Sequence, residues 1–233
     1  LAERLKKYII GQDQAIDLLT NALKRSTLAG NSRRGPLLSC LFAGPSGVGK
    51  TALAKTLANE LFHNEDALIR LDMSEFAEQH GVSKLLGSPA GYIGYKERNY
   101  FTEKLRQRPF SVVVFDEIDK AHPDVVRLLL QILDEGELTE SNGKKINFKN
   151  AVIILTTNLG AELYQSLGLG FGEKADGKIL DRKNLEKAII SRLKESLNTA
   201  LIGRLDEIVI FAALDLPSME KIVEQKIANM TKH

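Results

Sequence analysis

The sequence predicts an α/β protein in which a parallel five-stranded sheet is covered by helices on both faces. Five short apolar runs recur along the chain and are separated by stretches with helical periodicity. The runs are mainly apolar and do not alternate with polar residues, which is typical of strands buried on both faces. A glycine-rich turn joins the first run directly to a helical stretch, as in the strand–turn–helix units of parallel sheets. The five predicted strands are Leu37–Ala43, Ala67–Leu71, Ser111–Phe115, Ala151–Thr156 and Ile208–Phe211.

Other elements follow from periodicity and turn residues. Amphipathic helices are predicted over Gln12–Leu28 and Ala52–Phe62, on either side of the first strand. Residues 134–150 contain two glycine turns and predict a hairpin. The glycine- and charge-rich segment 168–178 predicts an exposed loop, and a last helix is expected from about Ser218 to Met230.

The composition narrows the classes of protein. The chain has 233 residues, 43% of them hydrophobic, and a formal net charge of +2, which argues against a nucleic-acid partner. No apolar run approaches the ~20 residues that cross a bilayer, so no membrane partner is expected.

Cys40, the one cysteine, lies inside a predicted strand as an inert thiol and suits a reducing compartment: the cytoplasm or an organelle of bacterial descent. Because the chain begins at Leu1 without a methionine, we expect a fragment of a longer protein.

The turn after the first strand matches the phosphate-loop pattern GxxxxGK[ST]. Glycines let successive backbone N–H groups face a phosphate, and the following helix adds the positive end of its dipole. The lysine places a charge against the β and γ oxygens, and the threonine hydroxyl ligates Mg²⁺. We therefore expect ATP or ADP with Mg²⁺, bound by Gly44, Pro45, Ser46, Gly47, Val48, Gly49, Lys50 and Thr51.

Polar side chains end two further strands. Asp116 and Glu117 follow the third strand, where Asp116 is a candidate Mg²⁺ ligand and Glu117 a candidate general base for the attacking water. Asn158 follows the fourth strand and is a candidate to orient that water or contact the γ-phosphate. The alternatives are a solvated acidic turn for the pair and a simple turn cap for Asn158. The phosphate loop upstream favours catalytic roles for all three.

Together these signatures resemble the AAA+ ATPases, and most specifically the second ATPase module of the Clp unfoldases. The matching stretches occur in family order from residue 9 to about residue 211. They are Ile10–Ala15, Leu41–Thr51, Asp72–Phe76, Gly91–Tyr95, Asp116–Val125 and Arg204–Glu207. The resemblance implies an ATP hydrolase whose adenine pocket is lined by Ile9 and Ile10. It also implies a large nucleotide-binding domain over residues 1–213. Residues 214–233 would then be the first helix of a small helical lid domain, truncated before the position at which the family carries another arginine that senses nucleotide.

The resemblance assigns a substrate-gripping role to a tyrosine flanked by glycines. Tyr92 offers a flat apolar surface that loses little side-chain entropy on contact, and the glycines give the segment mobility. The alternative is a glycine turn with a core tyrosine. By its position in the family, the segment 134–150 is a second candidate for a pore loop. The central pore loop that would contact unfolded polypeptide comprises Gly91, Tyr92, Ile93, Gly94 and Tyr95.

Arg204 resembles the arginine that reaches the γ-phosphate bound by a neighbouring subunit. This implies a homo-oligomer, a hexameric ring with sites between subunits. The sequence departs from the family in the residues just before Arg204. Residues 198–203 stand where the family has an Arg-Pro-Glu-Phe run and an Asn, and Gly203 loosens the turn that supports the arginine. The alternative is a surface arginine paired with Asp206 or Glu207.

A hydrophobic tripeptide in segment 168–178 resembles the one that protease-linked Clp ATPases dock on a barrel peptidase. It consists of Leu169, Gly170 and Phe171. An exposed leucine and phenylalanine suit a partner pocket. The alternative is a loop whose Phe171 folds back on the core. The tripeptide favours the ClpC- or ClpA-like branch over the ClpB-like branch.

The sequence thus predicts an ATP-driven unfoldase that threads polypeptide through a central pore, to a partner peptidase. Three alternatives remain at this point. A disaggregase-type motor works without a peptidase, and a nucleic-acid motor or loader uses the same ring but is opposed by the near-neutral charge and the aromatic pore loop. A nucleotide-controlled scaffold that does not hydrolyse ATP is opposed by the presence of Glu117 and Arg204.

Overall fold

The computed structural model describes residues 1–30, 34–78, 81–87, 100–166 and 182–230. A central sheet has five strands in the order β2-β3-β6-β1-β7, and every neighbouring pair in it is parallel. The predicted fold class is confirmed. The predicted hairpin is present as the antiparallel pair β4–β5. The strands are β1 Leu38–Ala43, β2 Leu68–Asp72, β3 Val112–Asp116, β4 Glu137–Thr139, β5 Lys145–Asn147, β6 Val152–Thr157 and β7 Glu207–Ile210.

Helices connect the strands and cover both faces of the sheet. Their bounds are α1 Ala2–Tyr8, α2 Asp13–Ala29, α3 Lys50–Phe62, α4 Gly81–Leu86, α5 Tyr100–Gln107, α6 Pro123–Glu135, α7 Ala161–Ser166, α8 Arg182–Ser196, α9 Thr199–Ile202 and α10 Leu216–Met230. The last helix begins before the predicted Ser218, because the Asp215 carboxylate accepts the backbone N–H of Ser218 at 3.0 Å and caps the first turn. None of the helices in the described part of the chain combines the length and apolar character that crossing a membrane requires.

The sheet divides the apolar core into two layers. Alternate residues of a strand point to opposite faces, so Leu41 and Ala43 pack in one layer while Leu38, Cys40 and Phe42 pack in the other. The second layer is covered by α1, α2 and α3, and the first by α5, α6 and α8. Cys40 is fully buried, as expected of an inert thiol. Burial of both faces explains why the strands read as continuous apolar runs.

An aspartate fixes β7 at the edge of the sheet. The Asp206 carboxylate accepts the Ser39 backbone N–H at 2.7 Å and the Ser39 hydroxyl at 2.8 Å. In return the Asp206 N–H donates to the Ser39 carbonyl at 2.8 Å. These bonds set the register in which Cys40 of β1 lies opposite Glu207 of β7. Since Ser39 is buried, the same carboxylate satisfies two polar groups that water cannot reach.

Replacing Asp206 by alanine is expected to lower the free energy of unfolding by roughly 2 kcal/mol. The change leaves the buried N–H and hydroxyl of Ser39 without their charged acceptor. Urea denaturation followed by circular dichroism measures the effect. The matched control is Glu207→Ala, whose only described ion pair is with the exposed Arg25 and is expected to contribute less than ~1 kcal/mol. Equal losses for the two variants would contradict the assigned role of Asp206.

Candidate functional site

The candidate site lies where the carboxyl ends of three adjacent strands meet. In the sheet β6 lies between β3 and β1, so the groups that follow these strands share one edge. They line a cleft of about 320 Å³. Its walls are Ser46, Gly47, Gly49, Lys50, Thr51, Ala52, Arg70, Asp116, Glu117 and Asn158. The structure therefore brings together the phosphate-loop residues, the acidic pair and the asparagine singled out from the sequence.

The turn between β1 and α3 has the backbone shape of an anion cradle. Gly44, Gly47 and Gly49 have φ values of +151°, +80° and +104°. At Gly44 a Cβ atom would lie 3.0 Å from the Phe211 carbonyl oxygen, so no side chain fits there. No side chain caps the start of α3 at Lys50, so the first backbone N–H groups of the helix are available to a ligand.

Lys50 is held inside this cradle by all three of its donors. Its ammonium group donates to the carbonyls of Gly44 at 2.6 Å and Pro45 at 2.8 Å, and to the Asn158 side-chain oxygen at 2.8 Å. The residue is only 8% exposed. Burial lowers the pKa of Lys50 from 10.5 to about 8, against an opposing effect of the nearby carboxylates of Asp116 and Glu117.

Asn158 connects Lys50 to the candidate base. The Asn158 amide nitrogen donates to Glu117 Oε1 at 3.3 Å, while its oxygen accepts from Lys50. Glu117 adopts a left-handed conformation, with φ +55° and ψ +53°, and its N–H donates to the Thr156 hydroxyl at 3.1 Å. A non-glycine residue in this conformation costs of order 1–3 kcal/mol, and such strain concentrates at active sites. The strained turn directs the glutamate into the cleft.

Asp116 has a partner on each carboxylate oxygen. The Thr156 hydroxyl donates to Oδ1, and the guanidinium of Arg70 on β2 donates to Oδ2 with its Nε at 2.8 Å. Next to it, the Thr157 hydroxyl donates to Asp119 at 2.6 Å. The two threonines that end β6 thus orient acidic groups that follow β3.

The donor set fits a magnesium nucleotide. Asp116 supplies carboxylate oxygens and the partly exposed Thr51 supplies a hydroxyl, both at the wall of the cleft. Within the described residues, no group of three or more His, Cys, Asp or Glu side chains is arranged to hold a metal alone. Mg²⁺ is typically held by one or two protein oxygens together with phosphates and water, so this small donor set suits it.

The segment predicted to contact adenine is tied to the cleft through Gln12. The Gln12 amide donates to the carbonyls of Val48 at 3.1 Å and Ala212 at 2.9 Å, and its oxygen accepts the Ala212 N–H at 3.0 Å. Ile9 is 7% exposed and packs in the core layer under α1 to α3, whereas Ile10 is half-buried. That both isoleucines contact adenine stays a prediction. Ile10 is the more accessible of the two side chains.

Arg204 lies at the opposite edge of the sheet from the cleft. It precedes β7, whose amino end is bound to Ser39 near the start of β1. Its Nε contacts both carboxylate oxygens of Asp134 at 2.6 Å, and its Nη1 donates to the Ala200 carbonyl at 2.9 Å. The structure gives the arginine a different acidic partner from those in the alternative: Asp134 pairs with Arg204, while Asp206 accepts from Ser39 and Glu207 pairs with Arg25. Gly203 has an ordinary helical φ of −66°, and Asn198 caps α9, so the altered turn is ordered.

Two predicted functional segments lie outside the described residues. They are the pore loop over residues 91–95 and the docking tripeptide over residues 169–171. Their roles stay predictions.

Sequence reasoning missed three residues that shape the cleft. Arg70 had a signal, since it is a charge inside an otherwise apolar strand, and Thr156 had a weaker one as a hydroxyl before the polar strand end. Gln12 belonged to a quoted motif, but nothing in its local sequence indicates that its amide reaches two distant loops.

The affinity for nucleotide is expected to fall as pH rises through 8. A lysine with a lowered pKa carries its charge below that pKa and loses it above, so Lys50 attracts phosphate less at high pH. Binding of a fluorescent ADP analogue should weaken about tenfold between pH 7 and pH 9, because the protonated fraction of one lysine with a pKa of about 8 falls about tenfold over that range. In the comparator Lys50→Arg the guanidinium stays charged, and the curve should be flat. A flat wild-type curve would contradict the lowered pKa.

Comparison with known proteins places the chain in a family. The family model described as AAA domain (Cdc48 subfamily) matches residues 35–208. The probable chaperone protein ClpB 1 of Chlorobaculum tepidum is 46% identical over 224 residues, which are 96% of this chain and 50% of that protein. The ATP-dependent Clp protease ATP-binding subunit ClpC of Staphylococcus aureus is 41% identical over 232 residues, which are 99% of this chain and 28% of that protein.

A solved structure of the S. cerevisiae Hsp104:casein complex has a TM-score of 0.85 and 38% identity, covering 100% of this chain and 38% of that one. The chain spans half or less of the length of these relatives. The family model covers most of the chain, and phosphate-loop residues, the acidic pair and Asn158 line one cleft. This chain therefore belongs to the AAA domain family, as an ATPase module of the Clp type.

Proposed function

We propose that this chain is the ATP-hydrolysing motor of a ring-forming protein unfoldase that threads polypeptide through a central pore. One observation carries the proposal: a buried lysine, an asparagine and a strained glutamate form a continuous hydrogen-bonded series along the wall of a phosphate-loop cleft. The relatives are named as a chaperone, a protease ATP-binding subunit and a casein-bound protein. Each of these names is compatible with a protein that acts on other polypeptides.

We assign residues 1–213 to the nucleotide-binding domain and 214–233 to the start of a helical lid. The Asp215 cap starts α10 directly after the sheet ends, which supports a boundary there. Several large apolar side chains of α10 are exposed among the described residues, as expected of a helix whose further packing partners belong to a lid. They are Leu216, Val223, Ile227 and Met230.

The loop from Gly44 to Thr51 would hold the phosphates through its backbone N–H groups and the Lys50 ammonium. Thr51 and Asp116 would hold Mg²⁺, with the adenine near Ile9 and Ile10. When bound, Mg²⁺ neutralises charge on the phosphate oxygens as the phosphoryl group transfers.

Glu117 is the group that removes a proton from the attacking water. Its carboxylate lines the cleft, and the 3.3 Å contact from Asn158 fixes the orientation of Oε1. Asn158 in turn contacts Lys50, so a phosphate on the lysine and a water on the glutamate would be positioned by the same amide. Lys50 stabilises negative charge that develops on the phosphate oxygens.

Arg204 is assigned to the site of the neighbouring subunit. Because it lies at the amino edge of the sheet and the phosphate loop at the carboxyl edge, one chain does not supply both to one site. A closed ring of identical subunits brings the two edges together repeatedly, and a hexamer is the state we propose. The exposed guanidinium keeps N–H groups beyond those that contact Asp134 and Ala200.

Polypeptide contact is assigned to the pore loop over residues 91–95, with Tyr92 as the gripping side chain. The tripeptide at residues 169–171 is assigned to docking on a barrel peptidase. We place the protein in the cytoplasm or an organelle of bacterial descent, because a chain with one cysteine forms no internal disulfide and suits a reducing compartment. A disaggregase without a peptidase is the second candidate, favoured by the similarity to ClpB 1 and Hsp104.

Replacing Glu117 by glutamine is expected to lower ATP hydrolysis at least ~100-fold and to leave ATP binding unchanged. Glutamine keeps the shape of the side chain but does not accept the proton from water. Phosphate release and binding of a fluorescent ATP analogue are measured together, with fluorescent casein as the polypeptide. The variant should retain casein in the presence of ATP without translocating it. Glu3→Gln, at an exposed carboxylate on α1, is the matched control, and hydrolysis that survives in Glu117→Gln would rule out the assigned base.

Mixing two inactive variants tests whether Arg204 acts on a neighbour. Arg204→Ala keeps its own cleft intact, and Glu117→Gln keeps its own arginine. Each variant alone is expected to hydrolyse ATP at least ~100-fold more slowly than the wild type, consistent with the 10³–10⁵ range for arginine fingers. The mixture should regain activity that rises with total protein concentration. Full activity of Arg204→Ala alone, at a concentration where light scattering shows a single chain, would exclude the assignment.

A further inference from the structure

The candidate metal ligand Asp116 is contacted by a positive side chain that the proposed reaction does not use. Arg70 stands in the middle of β2, where its neighbours Ile69 and Leu71 are apolar. Its Nε and Nη2 both approach Asp116 Oδ2, at 2.8 Å and 2.5 Å. The side chain of Arg70 lines the same cleft as Lys50 and Thr51. Arg70 therefore borders the space in which a ligand beside the phosphate loop would lie.

The two partners of Asp116 differ in how easily they can leave. Thr156 is 1% exposed and its hydroxyl is also the acceptor of the Glu117 N–H, so it is fixed by the fold. The Arg70 side chain is 51% exposed and ends a flexible chain. The Asp116 carboxylate is buried, so the pair opens by movement of the Arg70 guanidinium, which faces water and can be hydrated when it leaves. Oδ2 is thus the carboxylate oxygen whose partner is free to move.

A divalent cation on Oδ2 of Asp116 would bind through the lone pairs that now accept the N–H groups of Arg70. The metal ion and the guanidinium are both cations, so they compete for the same electron pairs of this oxygen. Their mutual repulsion adds to the competition, because the wall of the cleft is partly shielded from water. Among the described residues, the charges around them include Lys50 and Arg70 on the positive side. On the negative side are Asp116, Glu117, Asp119 and Asp72, which lies opposite Asp116 in the sheet and interacts with Arg70.

We propose that Arg70 competes with the divalent cation for Oδ2 of Asp116 and so sets the free Mg²⁺ concentration that the site requires. The inference rests on the magnesium site of the proposed function. It assigns Arg70 as a positioning residue: it acts on the metal through Asp116. Removing its charge should make the carboxylate a better metal ligand.

The test measures Mn²⁺ as an oxygen-preferring substitute for Mg²⁺, by electron paramagnetic resonance, on the full chain with saturating ADP. ADP removes hydrolysis from the readout. Arg70→Met is expected to lower the apparent Kd for Mn²⁺ about fivefold, the equivalent of losing a competing contact of about 1 kcal/mol. Arg70→Lys, which keeps the charge without the planar fork, should lie between Arg70→Met and the wild type. Arg25→Met is the control, since Arg25 pairs with Glu207 away from the cleft.

The outcomes separate this inference from the metal site itself. An Mn²⁺ affinity that is unchanged in Arg70→Met would overturn the competition. A weaker affinity would overturn it as well, and would show that Arg70 orients Asp116 for the metal instead. Wild-type protein that binds no Mn²⁺ with ADP, with Asp116→Asn indistinguishable from it, would overturn the proposed magnesium site. Binding that is lost in Asp116→Asn and tightened in Arg70→Met supports both.

Discussion

The parallel pairing of β1, β6 and β3 is the constraint on which the rest of the structure depends. Parallel strands place their carboxyl ends at one edge, so the loops that follow them meet there irrespective of their separation in sequence. Three segments that are about 40 to 110 residues apart thereby supply the lysine, the acidic pair and the asparagine of one cleft. Helices bury both faces of the sheet, so its strands are mainly apolar, and the polar side chains inside them, Ser39 and Arg70, each have a carboxylate partner.

The polar network at this edge is held by buried groups that leave little freedom. Lys50 uses every donor it has, and Thr156 both donates to Asp116 and accepts from the Glu117 backbone. Such networks rigidify a site when they are fully satisfied. The same burial lowers the pKa of Lys50, so desolvation opposes the charge that would attract phosphate. An anionic ligand would stabilise the charged form of Lys50, because it replaces the favourable interaction with water that burial removes.

The two edges of the sheet carry different halves of the proposed machinery. The carboxyl edge presents the phosphate loop, and the amino edge presents Arg204, anchored on Asp134 at the end of α6. An acidic residue in the last turn of a helix opposes the helix dipole, so its contact with the arginine is the interaction that offsets this cost. From the same helix end the chain continues into the β4–β5 hairpin. Under the proposed ring, the hairpin and the trans-acting arginine would therefore lie beside the same end of α6.

The five sheet strands, the phosphate loop and the polar residues at the strand ends can all be read from the order of the amino acids alone. These are local features: apolar runs, glycines at fixed spacing and acids directly after a strand. Only the tertiary structure decided which partners those groups meet. Arg204 pairs with Asp134, 70 residues away, instead of its sequence neighbours, and Arg70 meets Asp116 because β2 lies beside β3. Contacts across strands and between loops depend on sheet order and register, which no local pattern encodes.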